Sequence, residues 1–133
     1  MVAQSEADWI LKAMVAVAAA DGRLDSREVG LIQKVYQDQT GRPVDVSGVA
    51  GAVQAYATKR DVLAELSAAA GGMSLETKEE IIRAAYLVLL ADDRIAGEER
   101  KKLKDIAAAL QIPEIHFGAI LEDLAVWLAK ERS

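Results

Sequence analysis

The chain has 133 residues and a formal net charge of -5, the size of one domain able to bury roughly two thirds of its unfolded surface. Its apolar fraction is 52%, with one Phe and two Pro, a balance that favours alanine-rich helix packing over a turn-rich sandwich. With no Cys and a single His, disulfides, thiolate chemistry, iron–sulfur ligation and multi-histidine metal sites are excluded, and the dispersed, net acidic charge gives no long-range attraction for nucleic acid or an anionic membrane.

The hydrophobic periodicity predicts seven helices. The first runs from Glu6 to Ala20, with Ser5 and Asp8 at capping-box spacing and Trp9, Ala13, Ala16 and Ala20 on one face. Asp21-Gly22 ends it, and Asp25 or Ser26 caps a second helix with Val29, Ile32, Val35 and Tyr36 at helical spacing. Thr40-Gly41-Arg42-Pro43 stops that helix. From Asp45 to Ala57, Val46, Val49, Val53 and Tyr56 form a helical stripe that Gly48 and Gly51 weaken. A fourth helix covers Arg60 to Ala70 and stops at Gly71-Gly72. Ser74 caps a long fifth helix ending near Ala91, with Ile82, Ala85, Tyr86, Leu89 and Leu90 inward. The sixth runs from Gly97 to Ala109 with Leu103, Ile106 and Leu110 inward. Pro113 suits the first position of a seventh, whose stripe is Phe117, Ile120, Leu121, Leu124 and Leu128. The short connections make neighbouring helices pack against each other, so the expected fold is a single all-α domain over residues 1–133 with two pseudo-symmetric hairpins, helices 1–2 and 5–6.

Those hairpins carry the most informative feature of the chain. Ala20-Asp21-Gly22-Arg23-Leu24, with Glu28 beyond it, recurs 71 residues later as Ala91-Asp92-Asp93-Arg94-Ile95, with Glu99 beyond it. Part of the first copy is explained by helix capping: Asp25 and Glu28 have capping-box spacing, and Gly22 permits a left-handed turn. Asp21 sits beside the negative end of a helix, which is unfavourable unless a cation compensates. In the second copy Ala96 replaces Asp25 and cannot cap, yet Glu99 stands at the matching position with Glu98 beside it. The functional alternative is a metal site: Asp21 and Glu28 from one hairpin and Asp92 and Glu99 from the other, with Asp25, Asp93 and Glu98 as further oxygen donors. An oxygen-only set suits Ca²⁺ or Mg²⁺, and no organic cofactor is indicated. A calcium EF-hand is excluded, because loop positions three and twelve would be Arg23 and Ile32, or Arg94 and Leu103.

An alanine-rich helix, then Ala-Asp-Gly-Arg-Leu-Asp-Ser-Arg-Glu, then a second Ala-Asp-Asp-Arg-Ile with a downstream acid, resembles the tellurite-resistance TerB family, whose helical module also opens DjlA-type co-chaperones. The resemblance spans Trp9 to about Trp127. It implies an all-helical domain, acidic residues that bind divalent metal, an association with tellurite and stress resistance, and work in a protein complex linked to a membrane. Asp21, Glu28, Asp92 and Glu99 carry the matching acids. Asp93 in place of Gly22, and Ala96 in place of Asp25, make the two turns unequal. No J-domain accompanies the module here, so co-chaperone activity is not transferred.

The remaining features point away from catalysis. His116, in the first turns of the last helix, has no credible nucleophile beside it and reads as a surface or half-buried packing residue. Trp9 and Trp127 read as core or rim residues. Arg100, Lys101, Lys102 and Lys104 are interrupted by Glu98, Glu99 and Asp105 and read as a solvated helix face, so no nucleic-acid partner is expected. Gly71-Gly72 lacks the pattern of a phosphate loop. No secretory n-region, presequence or bilayer-length apolar run is read, so a cytoplasmic protein without direct membrane insertion is expected. The leading expectation is a non-enzymatic, metal-binding partner of an unidentified protein. A metal-independent interaction module is the alternative, and a metal-dependent hydrolase a weaker one.

Overall fold

The computed structural model describes residues 3–20, 26–57, 61–91 and 97–131, and seven α-helices occupy them, with no strand among the described residues. They are α1 (Gln4–Ala18), α2 (Ser26–Thr40), α3 (Val46–Ala57), α4 (Val62–Ala70), α5 (Leu75–Ala91), α6 (Gly97–Ala109) and α7 (Glu114–Glu131). The all-α, seven-helix expectation is met, and the differences lie at particular ends and faces.

α1 starts two residues earlier than expected, with Ala3 as an N-cap that makes no side-chain bond. The capping box at Ser5 and Asp8 therefore does not form. Instead Gln4 Nε2 donates to Asp8 Oδ1 at 2.8 Å, and Arg42 Nη1 donates to Gln4 Oε1 at 3.2 Å, so side chains brace the first turn from its flank. α4 begins at Val62 rather than Arg60 because Asp61 caps it, its Oδ1 accepting from Ala64 N at 3.1 Å. Pro113 lies just outside α7: Phe117 N donates to the Pro113 carbonyl at 2.9 Å, the geometry of a capping position. α6 closes with Ile112 N on Ala107 O and Gln111 N on Ala108 O, both at 3.0 Å, which turns Gln111 to φ 62° where glycine is usual. Val46, expected to face inward, is 62% exposed, because Asp45 caps α3 through Gly48 N and leaves Val46 at the open first turn.

The core is organised around α1 and α5. Every residue from Ala13 to Ala18 is buried, as are Ile81, Ile82, Ala84, Ala85, Val88 and Leu89. The one-sided stripes expected for both helices are therefore too narrow. A helix buried on most of its circumference belongs in the middle of a bundle, and alanine lets two such helices approach closely. α1 and α5 form the most extensively packed pair in the domain. Their first turns are clasped: Thr77 Oγ1 donates to Glu6 Oε1 at 2.9 Å, and Ser74 Oγ accepts from Thr77 N at 3.1 Å as the cap of α5.

Glu6 and Thr77 are themselves 71 residues apart. The starts of α1 and α5, and those of α2 and α6, have the same separation. The packing repeats with it: α1 on α2 matches α5 on α6, α1 on α3 matches α5 on α7, and α2 on α5 matches α6 on α1. The repeat is thus larger than the two hairpins expected. It is a three-helix unit, α1–α2–α3 and α5–α6–α7, with α1 and α5 side by side at its centre and α4 between the two copies in sequence.

Candidate site at the acidic turns

The starts of α1 and α5 are tied by the Glu6–Thr77 bond, and the two helices, 15 and 17 residues long, pack against each other. α2 and α6 begin after them, each reached by a short connection. Their first turns occupy matching positions of the internal repeat. Asp21, Asp25, Asp92 and Asp93 lie outside the described residues, and so does the side chain of Glu98.

Glu28 and Glu99 are described, and they are alike. Each is the third residue of its helix, and each is buried, Glu28 at 7% exposure and Glu99 at 3%. Glutamate is almost never this buried unless something holds its charge, and both residues take part in polar interactions. A carboxylate in the first turn also lies at the positive end of the helix dipole, a favourable place for negative charge. Sequence spacing had selected both residues without indicating their burial. Among the described residues, no group of three or more His, Asp or Glu side chains is placed to hold a metal ion.

At the opposite end, around the Glu6–Thr77 clasp, lies an acidic hollow lined by Glu6, Glu76, Glu79 and Glu80 with Ser74, Thr77 and Arg83. Sequence reading passed over it, although Glu76, Glu79 and Glu80 stand together in the first turns of one helix. Burial pushes the Glu80 carboxyl above its ordinary value; Arg83 pulls it down, while Glu79, Glu6 and Glu76 push it up. A carboxyl with a raised folded value contributes stability below its ordinary value and loses it as pH rises through the raised one. Glu80→Gln therefore melts at a higher temperature than the native chain at about pH 7, and the advantage fades on acidification from the raised value down to the ordinary glutamate value of about 4.3, as thermal denaturation by circular dichroism across that range will register.

His116 is a tie between helices. Its Nε2 lies 2.9 Å from Glu79 Oε1, joining α7 to α5, with both side chains part-exposed. The packing role expected for it fits this position. Arg100, Lys101 and Lys104 are exposed as expected of a solvated face, with Lys104 near Glu114 at 3.8 Å, while Lys102 lies over the Tyr56 ring at 5.9 Å. Trp9 is half-buried beneath Lys12, 4.6 Å from its ring, whereas Trp127 is 50% exposed.

No helix among the described residues is long and apolar enough to cross a membrane. The chain matches no known family model, no curated protein and no solved structure.

Proposed function

We propose that this chain is a TerB-like, non-catalytic helical module that holds Ca²⁺ or Mg²⁺ at its paired acidic turns and acts within a protein complex, in the setting of stress or tellurite resistance. The observation that carries the reading is the twin burial of Glu28 and Glu99 at matching positions of the internal repeat. Capping alone asks for a glutamate in a first turn, but it does not ask for that glutamate to be buried in both copies, when the residue three positions earlier in sequence is Asp25 in one and Ala96 in the other. Hard cations bind such all-oxygen sets, and neutralising several clustered carboxylates offsets their mutual repulsion.

Calorimetric titration with Ca²⁺ and with Mg²⁺ tests it. Saturable binding is expected for the native chain, weakened by Asp21→Asn and by Asp92→Asn alike if the two turns share one site. No heat of binding at millimolar metal defeats the cation reading and leaves a metal-independent interaction module.

A further inference from the structure

The internal repeat leaves one position of the fold unequally filled. α4 lies against α1 and α6, with Val62, Leu66 and Ala70 buried and Glu65 Oε2 paired to Lys12 Nζ at 3.4 Å. Exchanging the two units carries α1 onto α5, α6 onto α2, and Lys12 onto Arg83. At that second place no helix of the described residues is seated. The surface there is a groove between α2, α5 and α7, two adjoining hollows of about 180 and 220 Å³ that share Gln39, Leu87 and Trp127.

Two further observations give the groove a ligand chemistry. Its floor and wall are apolar, supplied by Leu31, Val35 and Leu87 with the half-exposed face of Trp127. Arg83 lines it as well, and its Nε is buried without a hydrogen-bond partner. A buried guanidinium N–H calls for an acceptor, and a carboxylate is the acceptor it favours most. In the filled counterpart the equivalent cation is paired with Glu65, whereas Arg83 already acts on Glu80 from the acidic hollow and it is the Nε that has no acceptor.

We propose that this groove docks an amphipathic helix from a partner protein, built like α4. Two apolar side chains four residues apart seat against Val35, Leu87 and Trp127, and a carboxylate just before the second of them is received by Arg83, as Glu65 before Leu66 is received by Lys12. Lys34 on the same wall strengthens the preference for an acid, while exposed Asp38 and Asp123 at the margins turn away a helix that is acidic all round. The proposal stands independently of the cation reading.

The probe is a synthetic peptide of residues 61–71, stapled between the solvent-facing positions of Ala64 and Ala68, since so short a helix is marginal in water. Its binding to the full chain is followed by fluorescence anisotropy of a labelled peptide and by the NMR shift of the Trp127 indole N–H. Saturable binding that moves the Trp127 signal is expected. Arg83→Glu weakens it about tenfold, with recovery when the peptide carries Lys in place of Glu65, and Trp127→Ala at an exposed position weakens it by a similar factor. Circular dichroism confirms that each variant is folded. The proposal is overturned by an absence of saturation at millimolar peptide, or by binding indifferent to both substitutions that moves Tyr56 and Lys102 instead, which is displacement of α4. It is equally overturned if sedimentation shows a dimer that Trp127→Ala dissolves, which assigns the groove to a second copy of the chain.

Discussion

Ile82→Ala lowers the unfolding free energy by about 2–5 kcal/mol, a loss that urea denaturation followed by circular dichroism measures directly. Ile82 is fully buried in the middle of α5, within the cluster that joins α5 to α1. Its removed methyl and methylene groups lose their transfer free energy, and the cavity left behind adds to the cost because alanine neighbours such as Ala84 and Ala85 have no long side chains to swing into it. A domain of this size has about 5–15 kcal/mol in all, so a single atom group here carries a large share of it. The melting temperature falls accordingly, by about 5–15 °C. Val126→Ala, on the exposed side of α7, is the control and stays within about 0.5 kcal/mol of the native chain. If Ile82→Ala costs no more than that control, α5 is not the central helix.

Replacing both Glu28 and Glu99 by alanine has the second large effect, and its dependence on metal separates capping from cation binding. In chelator, each loss removes a buried acceptor and strands its partners, at about 1–3 kcal/mol per residue. With Ca²⁺ or Mg²⁺ at a hundred times its dissociation constant, the native chain gains about 2.7 kcal/mol and the double variant gains nothing. The gap between the two proteins therefore widens on adding metal. A gap that stays constant between chelator and saturating cation assigns both glutamates to the helix starts alone. Denaturant titration in the two buffers makes the comparison.

Much of the fold was legible because the chain punctuates its helices chemically. Ser74 and Thr40-Gly41 mark a start and a stop through bonds the structure contains, with Gly41 at φ 72° and the Thr40 hydroxyl on the Tyr36 carbonyl, whereas Asp61 caps the fourth helix where periodicity alone starts it at Arg60. Periodicity reports which face of a helix is apolar, and that sufficed for Leu103, Ile106 and Leu110. It does not report which helix receives the face. The clasp between Glu6 and Thr77 and the place of α4 on α1 and α6 arise from long-range packing, and no local pattern encodes them. At the acidic turns, spacing picked out Glu28 and Glu99, while their burial depends on neighbours that spacing does not name. Trp127 shows the reverse: an aromatic residue that size and hydrophobicity place at the core or its rim is half open to solvent because no helix of the described residues lies over its side of α7.

The clasp at the base of α1 and α5 also sets how the chain can come together. The central seam joins residues about seventy positions apart, so its closure entropy must be met before α1 gains its principal neighbour. The interior is shared between the two three-helix units, since α1 and α5 pack more extensively on each other than on the helices of their own units. Folding should then be a single event of comparatively high contact order for a helical protein, slower than in a bundle built from successive hairpins, with the seam between the units forming the nucleus on which both halves depend.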